Sequence, residues 1–172
     1  MATLSARPPV RLLIAPARLW ISLTLARFRA ELHPVAKLEF ARLPRFFSPG
    51  LLAYARVAAV DRMPLAPPLR LWSSMDSMEN ISGLTLRNAY FLRRDEMYRE
   101  DLHAHELVHI LQWRLLGESK FLRLWLSDEQ TRGYGRNRLE KIAYRVQEEF
   151  KKAKEPFDAE ARVAELVAGL GT

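Results

Sequence analysis

The stretch "DLHAHELVHILQW", residues 101–113, holds three of the chain's four histidines within seven positions. Apolar residues recur through it at helical spacing; they are Ala104, Val108, Leu111 and Leu115. Because Gly117 is a good residue to end such an element, a helix over 102–116 is predicted. Histidine forms helices less readily than alanine or leucine. The histidine cluster therefore reflects chance, a buried structural group or a metal site.

Two of these histidines, His105 and His109, lie four residues apart on one face of the predicted helix, away from its apolar stripe. Neighbours at this spacing have Cβ atoms about 5–6 Å apart, so both imidazoles can bind one ion. Glu106 points to the flank, where a carboxylate reaches a water on the metal without binding the metal. This is the arrangement of the H-E-x-x-H motif, and the alternative is a pair of surface histidines. His103 faces the other way and is interpreted as a first-turn helix residue.

A third ligand must come from outside this helix, because a catalytic zinc ion keeps three protein ligands and one water. The chain has no cysteine, and its remaining histidine, His33, lies far upstream. Among the downstream carboxylates, Glu140 opens a predicted helix over 138–152 whose apolar stripe would pack against the histidine helix. The alternative is that Glu140 completes a capping box with Asn137, the predicted N-cap. Spacing alone does not choose between these two roles.

The segments "HELVHILQW" (105–113) and "NRLEKIAY" (137–144), separated by a loop with tyrosines, resemble the gluzincin clan of zinc metallopeptidases. They are most similar to the small forms called minigluzincins, and the resemblance spans roughly residues 80 to 150. It implies a zincin-like fold, a Zn²⁺ cofactor and hydrolysis of a peptide or protein substrate. The three implied ligands are His105, His109 and Glu140.

The resemblance also implies roles for residues around the metal. Zinc would polarise the scissile carbonyl and lower the pKa of its water, and Glu106 would take the water's proton and pass it to the leaving amine. The developing oxyanion needs a further stabiliser. Candidates, each with ordinary packing as its alternative role, are Tyr134 in the "RGYGRN" loop, Arg132, and Tyr144 on the helix of the third ligand. Gln112 and Trp113 are interpreted as structural.

The rest of the sequence predicts an α+β fold in which helices dominate. Strand-like alternation is confined to "LRLWSSM" (69–75) and "GLTLRNAYFL" (83–92), and in the second Leu86 and Tyr90 would share a face. This second segment resembles the edge strand to which extended peptide substrates add in zincins. We expect a loop over 127–137 and further helices over 16–30, 51–63 and 157–170.

Charge divides the chain near residue 70. Residues 1–70 hold eleven lysines and arginines against three acids, whereas the remainder holds sixteen against seventeen. We therefore expect a basic, helical segment over 1–68, followed by the zincin-like domain over 69–172. A spanning helix needs about 18 apolar residues in a row, and arginines interrupt the best candidate, residues 10–28. The same arginines argue against a secretory signal, so the expected location is the cytoplasm.

The predicted N-terminal helix combines a wide apolar arc with a narrow polar stripe of Arg18, Ser22 and Arg29, joined by Arg11 if the helix extends. Such a helix must bury its apolar arc in the protein's own core or in an anionic membrane surface to which its arginines snorkel. The membrane interpretation supports an alternative function, a zinc-stabilised non-catalytic or latent protein whose basic arm binds anionic lipid or nucleic acid. Nucleic acid is not the expected partner, because the sequence carries no recognisable motif for it.

Overall fold

The structure, a computed structural model, describes residues 8–65, 81–133 and 136–170. Helices dominate these residues and pack on a small mixed sheet, so the fold is α+β. The helices are α1 Val10–Arg27, α2 Pro49–Tyr54, α3 Glu100–Arg132, α4 Arg138–Lys152 and α5 Ala159–Ala168. The strands are β1 His33–Pro34, β2 Arg56–Val60, β3 Gly83–Leu86 and β4 Ala89–Arg93. The predicted strand over 69–75 lies outside the described residues.

The four described strands form one sheet in the order β1-β2-β4-β3. β2 and β4 are parallel, with Arg56 opposite Ala89, while β1 and β3 pair antiparallel to their neighbours. β4 is buried on both faces, as expected of a central strand. Because β1 and β2 precede residue 69 and the other two follow it, the basic N-terminal segment and the histidine-containing segment share this sheet.

The two faces of the sheet carry separate hydrophobic clusters. Tyr90 and Leu92 lie in the cluster that contains the histidine-bearing half of α3, with α4 and α5. Phe91, between them, lies in the second cluster, with α1 and the later half of α3. Successive residues of a strand point to opposite faces, so α3 contributes to the core on both sides of the sheet.

The helix predicted over 51–63 is wrong. The chain forms the short helix α2, whose N-cap Ser48 accepts a hydrogen bond from the Leu51 amide, and then becomes extended at Ala55. It continues as β2 in "RVAAV", where Val57 and Val60 are buried. The apolar run suits either structure locally, and pairing with the buried strand β4 selects the strand.

The single strand predicted over 83–92 is a hairpin. β3 and β4 are joined by the two-residue turn Arg87–Asn88, and Arg87 has a left-handed φ of 57°. Leu86 therefore lies opposite Ala89 and joins the cluster of Phe91, not that of Tyr90 as predicted. Because the turn reverses the chain, the alternation of side chains between the two faces does not continue from β3 into β4. β3 is an edge strand among the described strands.

The histidine helix forms as predicted and is interrupted at Gly117, whose φ is 70° and ψ 158°. Leu115, predicted to lie on its apolar stripe, is half exposed. The predicted loop over 127–137 is wrong as far as Arg132, because α3 resumes after Gly117 and extends to that residue. A buried carboxylate, Asp128, fixes this last part by accepting hydrogen bonds from the amide and guanidinium of Arg138.

The remaining helices follow the sequence closely. α4 has the predicted bounds and the predicted N-cap Asn137, and α5 lies within the predicted 157–170. α1 begins at Val10, so the start predicted at Pro16 is wrong; Pro16 lies inside the helix on its exposed side, where the carbonyl it leaves unpaired can meet water. Within the described residues, no helix has the length and apolarity to cross a membrane.

Candidate metal centre

Three buried side chains converge where α3 meets α4. Nε2 of His105 lies 3.1 Å from Nε2 of His109, and each lies 3.5 Å from Oε2 of Glu140. In a tetrahedral zinc site with bonds of about 2.0–2.1 Å, two ligand atoms are about 3.3–3.4 Å apart. The three atoms therefore already have the spacing that a metal ion requires, and the group could hold one.

The positions follow from two helices in close contact. His105 and His109 lie on successive turns of α3, and Glu140 lies in the first turn of α4. Ala104 and Ala143 are fully buried in the same cluster, and their small side chains let the two helices approach each other. The predicted juxtaposition of Glu140 with the two histidines is present.

Glu140 does not have the geometry of the capping-box alternative. Its N-cap, Asn137, bonds through Oδ1 to the amide of Leu139 and through Nδ2 to the carbonyl of Trp125. The carboxylate of Glu140 is directed at the two imidazoles, and its buried Oε2 has no hydrogen-bond partner in the described structure. A buried carboxylate oxygen without a donor is costly, and a cation would satisfy it.

The tautomer of His105 is fixed by Gln147. The amide nitrogen of Gln147 donates to the Asp101 carboxylate at 2.9 Å, and a carboxylate can only accept. The amide oxygen Oε1 therefore faces Nδ1 of His105, 3.1 Å away, and that nitrogen must carry the proton. Nε2 of His105 is left with its lone pair.

Gln112 fixes His109 in the same way. Its amide nitrogen donates to the carbonyl of Leu139 at 2.9 Å, so its Oε1 accepts from Nδ1 of His109 at 2.8 Å. Both Nε2 atoms thus point lone pairs at each other and at the carboxylate of Glu140. Three lone pairs around one point repel unless a cation lies between them, and hydrogen-bonded imidazoles of this kind are typical metal ligands.

Protons and metal ions compete for these lone pairs. Burial alone would lower the pKa of His109, but the negative charge of Glu140, with smaller contributions from Glu106 and the Gln112 hydrogen bond, raises that pKa to about 9. Burial would raise the pKa of Glu140, and the two histidines lower it well below its usual range. The centre attracts positive charge strongly enough to outweigh the cost of burial.

Glu106 lies beside this group and is held by β3. Oγ1 of Thr85 donates to Oε2 of Glu106 at 2.5 Å. Gly83 lies so close that a Cβ placed on it would collide with Oε1 of the same carboxylate. Burial raises the pKa of Glu106, although the two histidines and the Thr85 hydrogen bond oppose the shift. The strand thus fixes the carboxylate predicted to act as the base.

His103 is a separate, structural residue. Its Nδ1 accepts a 2.6 Å hydrogen bond from the Tyr90 hydroxyl, and its Nε2 donates at 2.8 Å to the carbonyl of Met97. Burial lowers its pKa to about 4, so the imidazole is neutral near pH 7. It lies outside the metal-binding group.

The three oxyanion candidates differ in position. The ring of Tyr144 lies edge-on to that of His105, with centroids 4.7 Å apart, and its side chain is half exposed. Arg132 lies at the end of α3 and pairs with Asp128 at 3.5 Å. Tyr134 lies outside the described residues.

Sequence reasoning missed the residues that support the ligands. Gln147 follows Glu140 by seven residues, two turns along the same face of α4, and that spacing was the available signal. Gln112 was interpreted as structural, although it follows His109 by three residues. Thr85 reaches the site through the hairpin, and no local pattern marks it.

Comparison of the chain with protein-family models, with curated proteins and with solved structures found no match. Function is therefore inferred from the residues and geometry of the site.

Proposed function

We propose that the protein is a zinc metallopeptidase of gluzincin type, with His105, His109 and Glu140 as ligands. The observation that carries this is the convergence of two imidazole Nε2 atoms and one carboxylate oxygen at tetrahedral spacing. Two histidines and a glutamate are a donor set of catalytic zinc ions, which leave the fourth position for water. The adjacent carboxylate of Glu106 can act as a general base, which a purely structural zinc site does not need.

The chemistry divides between the ion and the side chains. A bound zinc ion supplies Lewis acidity to the scissile carbonyl and lowers the pKa of a water. Glu106 takes a proton from the attacking water and passes it to the leaving amine, and its raised pKa helps it to hold that proton between the two steps. Thr85 restrains the carboxylate through Oε2. Tyr144, beside His105, is a candidate to stabilise the oxyanion.

The substrate proposed for this site is an extended peptide. β3 is an edge strand among the described strands, and its Thr85 contacts the proposed base directly. An edge strand offers unpaired amides and carbonyls to a peptide that adds as a further strand. Such pairing would place the peptide backbone alongside Glu106.

Burial favours a second candidate, a latent or non-catalytic zinc protein. The side chains that would meet a substrate are only 3% to 6% exposed; they are His105, Glu106, His109 and Glu140. A site this enclosed must open to admit a peptide, or else it holds zinc for stability.

The two candidates are separated by comparing wild type with Glu106→Gln. Both proteins should bind one zinc per chain, measured by mass spectrometry of the metal, because Glu106 is not a ligand. Wild type should cleave an unfolded protein such as reduced casein, and the variant should lose at least about 100-fold of that activity. Glu148→Gln, an exposed carboxylate on α4, serves as the control.

Stoichiometric zinc without cleavage in wild type would favour the latent or non-catalytic candidate. Cleavage that persists undiminished in Glu106→Gln would contradict the mechanism, and absence of bound zinc would contradict both candidates.

A further inference from the structure

The outward face of α1 is apolar. Leu12, Leu19 and Leu23 are 60%, 62% and 62% exposed, and their spacings of seven and four residues place them in one stripe. The stripe is completed by three further exposed residues, Ala15, Pro16 and Ala26. Large apolar side chains aligned along one helix are unusual on a protein surface and indicate a binding face.

The inner face of the same helix is fixed to the protein. Ile21 is buried in the cluster formed with the later half of α3, and Leu13 is buried as well. Arg18 pairs with Glu118 at 3.6 Å, and Gln130 donates to the carbonyl of Pro8 at 3.0 Å. The helix therefore has two apolar sides, and core packing covers only one of them.

Positive charge borders the exposed stripe. Arg11 and Arg27 are exposed on opposite flanks of it, as the helical positions of these residues require. Residues 1–30 contain no aspartate or glutamate. A second copy of the chain is a poor partner for this face, because a symmetric contact would bring arginines together without acids to neutralise them.

We propose that this face, the leucine stripe of α1 with Arg11 and Arg27, docks on an anionic lipid bilayer. The leucines enter the boundary between headgroups and acyl chains, and the two arginines reach the anionic headgroups from either side. Since the inner face holds α1 against the body, the helix lies parallel to the membrane. This proposal is independent of the metal centre.

Vesicle sedimentation of the full-length protein tests the surface. Wild type should bind vesicles of phosphatidylcholine with 30% phosphatidylglycerol at low salt, and binding should weaken in 0.5 M salt. Leu19→Ser/Leu23→Ser should reduce the partition coefficient about tenfold or more, since two leucine side chains lose their burial. Arg11→Gln/Arg27→Gln should remove most of the preference for anionic over neutral vesicles.

Matched variants keep the test specific. Leu115 and Tyr98 are also exposed, so Leu115→Ser and Tyr98→Ser should bind like wild type. The chain lacks cysteine, so a fluorophore can be attached at Leu23→Cys; its emission should shift to the blue on anionic vesicles, whereas the same label at Tyr98→Cys should not respond.

The proposal is overturned if wild type ignores anionic vesicles at low salt, or if the leucine and arginine variants bind as wild type does. It is also overturned if light scattering shows a dimer that the leucine variant abolishes, which would assign the face to a second copy. Because the assay needs neither zinc nor peptide cleavage, a failure here leaves the proposed enzymatic function intact.

Discussion

The three histidines within two turns of α3 do not share one tautomer: His103 differs from His105 and His109. His105 and His109 donate from Nδ1 to glutamine oxygens and keep Nε2 free, whereas His103 donates from Nε2 to a backbone carbonyl and accepts at Nδ1. The partner at the second nitrogen, supplied by another part of the fold, sets each assignment. The same residue type therefore serves as a ligand at two positions and as a structural hydrogen-bonding group at the third.

His103 gives a pH dependence of stability with a definite sign. Its pKa is about 4 in the folded protein and near 6.5 when unfolded, so the unfolded chain takes up a proton that the folded protein excludes. The stabilisation is present above about pH 6.5 and is lost as the pH falls to about 4. Relative to wild type, His103→Gln should lose this dependence, which amounts to about 3 kcal/mol.

Urea denaturation at a series of pH values, with chelator in both samples, measures this difference. The other histidines are shared by the two proteins and cancel in the comparison. A constant difference from pH 7 to pH 4 would show that His103 does not titrate as described.

Gln147 should contribute to metal affinity without touching the metal. Gln147→Leu leaves the buried Nδ1–H of His105 without an acceptor and removes one donor to Asp101, which keeps its hydrogen bonds from Arg99. Zinc affinity should fall about 10–100-fold, as measured by competition with a chromogenic chelator. Glu148→Leu, at the neighbouring exposed position, should bind zinc like wild type. Equal affinities for Gln147→Leu and wild type would argue against the tautomer assignment.

At the scale of elements, the close approach of β3 to α3 depends on Gly83. A methyl group there would collide with the Glu106 carboxylate and lie 2.9 Å from Cδ2 of Leu92. Gly83→Ala should keep zinc but lower peptide cleavage about 100-fold by displacing the base. Its cost in unfolding free energy should be about 1–3 kcal/mol.

Gly50→Ala is the control, because its nearest neighbour, Ser48 Oγ, would be 3.8 Å from the added Cβ. Cleavage rates, zinc content and thermal melts of the two variants separate an effect on the base from one on stability. Full peptide cleavage by Gly83→Ala would contradict this prediction, because it would mean that β3 can shift without displacing the Glu106 carboxylate.

The elements that sequence reasoning predicted well are those whose patterns are local. α4 has both an N-cap and a strong apolar stripe, and the histidine helix has an apolar stripe and is interrupted at Gly117, so both helices were predicted correctly. β2 and the resumption of α3 depend on partners elsewhere in the chain, β4 for one and Arg138 for the other. Helical spacing placed the two histidines together and put Gln147 on the face of Glu140, but the hydrogen-bond partners of the glutamines and the position of Thr85 required the tertiary fold.

At the scale of the whole molecule, a metal ion would join α3 to α4. Zinc that binds only the folded protein should raise the melting temperature by on the order of 10 °C at free zinc about 1,000 times the dissociation constant. Differential scanning calorimetry with zinc and with chelator measures the shift. His105→Ala should lose this shift in melting temperature, whereas Glu106→Gln should retain it. If wild type melts at the same temperature with zinc and with chelator, zinc does not stabilise the fold.

The order of strands in the sheet has a consequence for biosynthesis. Arg56 of β2 pairs with Ala89, 33 residues later, whereas Leu86 of β3 pairs with Ala89 across a two-residue turn. As the chain leaves the ribosome, β1 and β2 emerge before β4, so the edge of β2 that pairs with β4 stays unpaired meanwhile. The β3–β4 hairpin can close in microseconds once it emerges, while the parallel pairing must close a much longer loop. We therefore expect residues 33–60 to be most prone to aggregation in the interval before β4 is synthesised.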